Sequence, residues 1–202
     1  MERKLYDAAA RGSTGDLKGA LKKNPRLDVN WSDDNKPGGW TSFHIACSKG
    51  HVDIVRILLA HPDIDVNQRK QDGATGFHCA CSNGRQAVVR LLLRDSRVDI
   101  NQGKTDGCTP LWWVITLGYH DILRWLAASG RDVDLGEPEN DKTDTVGLAR
   151  RKKRPQMVEL LEEMRHSPVR VTKRIRADLV AAAASAGAQF DPKGKAAFLF
   201  IY

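Results

Sequence analysis

Residues 41–67, TSFHIACSKGHVDIVRILLAHPDIDVN, return 34 positions later as TGFHCACSNGRQAVVRLLLRDSRVDIN at 75–101. A third copy, TPLWWVITLGYHDILRWLAASGRDVDL, occupies 109–135. Thr41, Thr75 and Thr109 keep the step, as do Gly50, Gly84 and Gly118, and Leu58, Leu92 and Leu126. Asn67 and Asn101 lie 34 apart, with Asn30 37 residues before Asn67. Self-similarity at one fixed period of this length is the mark of a stacked array.

Each recurring position has a physical task. The threonine is placed as an N-cap, its oxygen accepting a free amide of the first turn, worth about 1 kcal/mol. Pro110 then falls at the first helical position, where a missing N–H costs nothing. Small residues follow, Ala46 and Cys47 or Ala80 and Cys81, where a second helix must come close. The glycine ends this helix, because a left-handed residue is cheap only for glycine. DIVRILLA and AVVRLLLR then repeat apolar residues at helical spacing. A Val-Asn or Ile-Asn step leads to a polar turn with Asp72-Gly73 or Asp106-Gly107, a short-range hairpin signal.

Two short helices and a turn cannot bury their own apolar face, so neighbours must stack into a continuous core. Here the chain resembles the ankyrin-repeat family. The residues that carry the likeness are Thr-x-Phe-His-x-Ala at 41–46 and 75–80, Gly50-His51, the Val-x-x-Leu-Leu runs and the closing Val-Asn. The resemblance implies an all-α solenoid with short β-hairpin fingers over about residues 5 to 165. The unit is one residue longer than the family's usual repeat of about 33. Ser42 and Gly76 stand where the pattern has proline, and Trp112 where it has histidine.

The expected organisation is a repeat domain over 1–165, with units at about 5–38, 39–72, 73–106 and 107–141 and a cap at 142–165. In the cap Asp144 serves as N-cap, and Val158 and Leu161 fall where Val55 and Leu58 fall in the first copy. A basic, partly helical tail occupies 166–202, with an alanine-rich helix expected from about Val171 to Ala186. AAFLFIY, at 196–202, either docks somewhere or marks the stump of a longer chain.

The formal net charge of +7 is local. Residues 1–147 carry 20 basic and 20 acidic side chains, whereas 148–176 carry 10 and 3. Nucleic-acid-coating proteins spread positive charge along a face. No apolar run approaches the roughly 18 residues that span a bilayer, and the start lacks a secretory apolar core. Four cysteines without paired spacing suggest a reducing compartment. The expectation is an intracellular, cytoplasmic monomer, with the nucleus as the alternative that the basic run opens.

FHCACSNG at 77–84 holds His78, Cys79 and Cys81 within four positions. No CxxC-type ligand pair accompanies them. The resemblance implies that His44 and His78 are neutral and structural, and that Cys47 and Cys81 replace packing alanines. Stacking that brings His44 near His78 and Cys81 is the competing metal reading. No phosphate-binding loop or nucleophile motif occurs. Neither an enzyme, a metal nor a cofactor is expected.

The family likeness implies that fingers and first helices line a concave face that binds another protein. The corresponding positions are Trp40, Ser48 and Lys49; then Gln71, Asp72, Ala74, Ser82 and Asn83; then Thr105, Asp106, Cys108, Thr116 and Leu117. Trp40, beside a Gly-Gly turn, is either an interface anchor or local packing on the neighbouring hairpin. Trp112, Trp113 and Trp125 read as core. The run Arg150-Arg151-Lys152-Lys153-Arg154 reads either as a solvated cap at a helix end or as an import signal or anion patch. The second of these makes the whole segment 148–176 a nuclear, anion- or nucleic-acid-binding element.

Overall fold

The computed structural model describes residues 1–32, 38–136 and 144–185. Its elements are α1 (Glu2–Arg11), α2 (Thr14–Lys23), α3 (Ser42–Lys49), α4 (Val52–Leu59), α5 (Gly76–Ser82), α6 (Gln86–Leu93), α7 (Pro110–Leu117), α8 (His120–Ser129), α9 (Thr145–Arg151), α10 (Pro155–His166) and α11 (Pro168–Ser185). The odd-numbered helices α1 to α9 pack side by side in one layer, and α2 to α10 in a second, each pair forming a helix hairpin. α11 lies against α8 and α10. This is a helical solenoid.

The first helices are held at their starts. Thr41, Thr75 and Thr109 accept the N–H of residue three ahead at 3.3, 3.2 and 3.2 Å, and Asp144 accepts that of Gly147 at 2.6 Å. Ala46, Cys47, Ala80, Cys81, Val114 and Ile115 are fully buried between neighbours, so backbones approach closely there. Val55, Leu58, Val89, Leu92, Leu123 and Leu126 do the same in the second layer. Burying each leucine removes roughly 2 kcal/mol of apolar exposure.

At the ends of the first helices the chain closes each hairpin identically. Ser13, His51, Arg85, Tyr119 and Arg154 each donate a backbone N–H to a carbonyl five residues back, at 2.9–3.0 Å. This is the closing bond of a Schellman motif, which requires a left-handed residue just before it. Gly12, Gly50, Gly84 and Gly118 supply it, with φ of 73°, 83°, 65° and 77°. In the last unit that residue is Lys153, with φ 55°.

Asparagines stitch successive units. Asn30 donates to the Asp63 carbonyl at 2.7 Å and accepts from Asp65 N–H at 2.9 Å. Asn67 does the same with Arg97 and Asp99, both at 2.7 Å, and Asn101 with Asp132 and Asp134, at 2.9 and 3.0 Å. Each asparagine backbone is oriented by the aspartate two residues earlier, which accepts its N–H at 2.9–3.0 Å.

The expected β-hairpins are reduced to turns. In the finger at 70–74, Gly73 donates to the Lys70 carbonyl and Lys70 to the Ala74 carbonyl, each at 2.9 Å. Lys104, Gly107 and Cys108 repeat this at 3.0 Å. Among the described residues no strand forms, and one isolated bridge joins Ser32 and Thr41. The chain enters the threonine N-cap directly after the turn, so no length remains for a ladder. The alanine-rich helix begins at Pro168, three residues earlier than expected, and is described to Ser185. AAFLFIY lies outside the described residues.

Candidate functional site

The finger tips form a continuous edge. Gln71 donates its N–H to the Gly38 carbonyl at 3.2 Å, and Thr105 to that of Asp72 at 3.0 Å, so each tip rests on the one before. An ion ladder runs along them. Lys70 Nζ lies 3.2 Å from Asp72, and Lys104 Nζ lies 3.6 Å from Asp72 and 3.3 Å from Asp106. Partial burial raises the Asp72 carboxyl, but the Ala74 N–H and the two ammoniums outweigh it and hold its pKa below the ordinary value. Asp72 and Asp106 also accept the N–H of Ala74 and Cys108, at 3.1 and 3.0 Å. These carboxylates shape the fingers first.

Trp40 is half-buried at the start of this edge. Its ring meets His44 edge-on, with centroids 6.4 Å apart, and the Lys70 ammonium lies 4.2 Å from the ring centre. Gln71 Oε1 accepts the Gly38 N–H at 2.8 Å, fixing the turn beside it. Local packing therefore engages Trp40, while part of its ring remains accessible. Of the other expected positions, Lys49, Gln71, Asn83, Thr105 and Leu117 are exposed, and Ser48, Asp72, Ser82, Asp106, Cys108 and Thr116 are partly so. Ala74 is corrected: it is 2% exposed and packs within the buried core.

The His and Cys groups face inward. His44 Nδ1 accepts from Thr41 N–H at 3.3 Å and lies 2.8 Å from its hydroxyl, while Nε2 stands 2.9 Å from the Gln68 carbonyl. The ring is thus a neutral Nε2–H tautomer. Burial lowers the pKa of His44 and of His78 to about 4. Burial pushes the Cys79 thiol up to about 12 and raises those of Cys47 and Cys81. Among the described residues no three His, Cys, Asp or Glu side chains stand close enough to hold a metal ion. A cavity of about 770 Å³ opens between Asn101, Arg131, Leu135, Met164 and Thr172, away from these groups.

The basic run is divided by its register. Arg150 pairs with Glu162 on α10. Arg151, Lys152 and Lys153 are exposed at the end of α9. Arg154 lies over Gly118, where an added Cβ would stand 2.3 Å from its guanidinium, and donates to the Thr116 carbonyl at 3.4 Å. Earlier units show the same arrangement: His51 covers Gly12, Arg85 covers Gly50 and Tyr119 covers Gly84, each 2.8–3.0 Å from where a Cβ would be. Downstream, Arg174 pairs with Glu163, and Arg176 donates to the Ala128 and Ser129 carbonyls at 2.7 and 3.0 Å.

The family model for ankyrin repeats, in three copies, matches residues 5–104 and 62–137. The chain belongs to the ankyrin-repeat family. It is also 38% identical over 65 residues to osteoclast-stimulating factor 1 of Xenopus laevis, and 37% identical over 65 residues to the proteins of that name from Rattus norvegicus and Mus musculus. Each match covers 32% of this chain and 28% of the relative, so the likeness spans under a third of either. No helix among the described residues is long and apolar enough to cross a membrane.

Trp112 and Trp125 pack against the ankyrin core as expected. Trp113 is half-buried and meets Trp112 edge-on at 5.1 Å. It occupies the fourth position after Thr109, where the preceding repeats have Ile45 and Cys79. That position lies one turn before Leu117 on the accessible side of α7. Counting from the threonine was enough to find it, but tryptophan's size drew it into the core reading.

Proposed function

We propose that this ankyrin array is a non-catalytic scaffold that holds a partner protein against its concave side, formed by finger tips and first helices. One observation carries the reading: the recurrent polar groups either cap their own helix or bond to the next unit, while the accessible first-helix positions differ. Thr41, Thr75 and Thr109 cap, and Asn30, Asn67 and Asn101 stitch. By contrast the eighth position after each cap holds Lys49, Asn83 and Leu117, all exposed. A frame that recurs in the three central units and a surface that differs in each suits recognition. A stacked frame loses little conformational freedom on binding, which lowers the entropic cost.

His44 and His78, buried and weakened as bases, and Cys47, Cys79 and Cys81, buried and held as protonated thiols, are poorly suited to act as base or nucleophile, which supports a non-catalytic role. An intracellular setting and a monomeric chain are part of the same proposal. The unit boundaries given above, the cap at 142–165 and the tail at 166–202 are part of the same proposal. Weighing against an autonomous nucleic-acid element at 148–176 is the engagement of Arg150, Arg154, Arg165, Arg174 and Arg176 with this chain's own carboxylates and carbonyls.

Site-specific photo-crosslinking in cells tests the proposal. A benzophenone side chain at Lys49, Asn83 or Leu117 is expected to capture the same protein from all three positions. The same group at Arg56 or Ala87, on the second helices, is expected not to. Capture confined to the second-helix positions refutes the assignment of the face.

A further inference from the structure

Counted from the N-cap of each first helix, the seventh position holds Ser48, Ser82, Thr116 and Arg151. The eighth holds Lys49, Asn83, Leu117 and Lys152. The caps are Thr41, Thr75, Thr109 and Asp144, and α3, α5, α7 and α9 pack in that order. Equivalent positions on equivalently stacked helices share a face, so these residues make two parallel rows. Neither row contains a carboxylate. Lys49 stands at one end, hydroxyls and Asn83 follow, Leu117 is 41% exposed beside Trp113, and Arg151 and Lys152 close the other end. Lys153 extends that end by one residue.

Lys153 strengthens the case. The corresponding position of the earlier units is glycine for two reasons: its φ is positive, and the next unit's side chain fills the space of a Cβ. In the last unit only the first reason remains. Lysine still pays a backbone penalty there that glycine avoids, and a strained residue held on an exposed surface points to a use for its side chain.

We propose that these rows bind an extended acidic segment of a partner protein, with one aromatic or aliphatic side chain seated on Trp113 and Leu117. The carboxylates on one flank meet Lys152 and Lys153, and those on the other reach Lys49. Neighbouring helices are spaced roughly 8–10 Å apart, so four helices span about 25–30 Å. An extended chain rises about 3.3 Å per residue, which makes the segment about nine residues long. A polynucleotide fits less well, because the exposed Leu117 in the middle of the rows offers a phosphate nothing. This inference rests on the proposed binding face and adds the chemistry of its occupant.

The test uses the full chain and three fluorescein-labelled nine-residue peptides. The first alternates Asp and Glu around a central Phe, the second replaces that Phe by Ala, and the third replaces the acids by Asn and Gln. Anisotropy titrations at about 0.1 M salt are expected to show the first binding about tenfold tighter than either other peptide, as burial of one aromatic and several rim charge contacts imply. Binding should also quench tryptophan emission. Leu117→Ser should weaken the first peptide about tenfold and leave the Ala peptide unchanged. Lys152→Glu with Lys153→Glu should weaken it at least tenfold. Lys153→Gly, which relieves the backbone and so keeps the fold, should weaken it about twofold to threefold. Equal binding of all three peptides, no binding of the first, insensitivity to these variants, or tighter binding of a nine-nucleotide single strand would each overturn the proposal. If the peptides fail while crosslinks still form at Lys49, Asn83 and Leu117, the binding face stands and only the acidic occupant is lost.

Discussion

Lys153→Gly is expected to stabilise this protein while removing a charge from its most basic stretch. The residue sits at φ 55° with its N–H bonded to the Arg150 carbonyl at 3.0 Å, and Arg154 N–H closes the motif onto Ala149 at 2.9 Å. Holding an L-residue in the left-handed region costs about 1–2 kcal/mol. Glycine removes that cost but brings back about 0.5–1 kcal/mol of backbone freedom to the unfolded chain. Loss of one cation from a crowded run adds a few tenths of a kcal/mol. The net gain is about 1 kcal/mol, or a rise of about 2–4 °C in Tm for a chain of this size. Guanidinium titration followed by far-UV circular dichroism measures it, with an unchanged slope showing that the midpoint shift reports stability. Lys153→Ala is the control: it removes the charge, keeps the φ, and should gain at most a few tenths of a kcal/mol. A glycine variant no more stable than the alanine variant would refute the backbone argument. At interior positions the reverse change is costly: Gly118→Ala would hold an L-residue at φ 77° and should lose about 1–2 kcal/mol.

Acid should destabilise the array between pH 6.5 and 4. His44 and His78 have folded pKa values near 4 against about 6.5 unfolded, so the unfolded chain binds more protons in that window and stability falls as pH drops. Each group contributes on the order of 3 kcal/mol to this loss, and a Tm–pH profile should flatten in His78→Gln. Gly76→Pro, which would copy the Pro110 start, should instead destabilise: a side chain there meets the Phe43 ring at 2.6–2.7 Å, an overpacking worth about 1–3 kcal/mol by chemical denaturation. Asn67→Ala removes both stitches to the following unit and should cost about 1–2 kcal/mol, with faster amide exchange at Asp99 marking the cut. Under native conditions a thiol reagent should modify Cys108, the one partly exposed cysteine, well before the buried Cys47, Cys79 and Cys81.

The family and the helical stack were legible because a repeat states the same instruction several times. Thr41, Thr75 and Thr109 announce helix starts, the glycines announce their ends, and the period places equivalent residues in equivalent surroundings. Asn30 could be read as part of the pattern, but its bonds to Asp63 and Asp65 join units 33 and 35 residues apart. Such bonds appear only when the superhelical step is known. The β-hairpin fingers that Asp-Gly suggests are turns among the described residues, because Asp-Gly signals only a reversal and the adjacent N-cap leaves no room for strands.

For the binding surface, local chemistry misled more than it informed. Ala74 looked like a finger-tip contact and is buried, whereas Trp113 looked like core and faces outward in part. The five consecutive basic residues read as one patch because they are adjacent in the chain. A helix end and a Schellman turn send them to four different places: Glu162, the exposed rows, the glycine position and the Gly118 surface. Sequence alone determined what recurs, since caps, apolar spacing and helix stops act over a few residues. Which side chains are covered was decided by stacking, because cover comes from the neighbouring unit some 34 residues away: Arg154 lies over Gly118, whereas Lys153 is exposed.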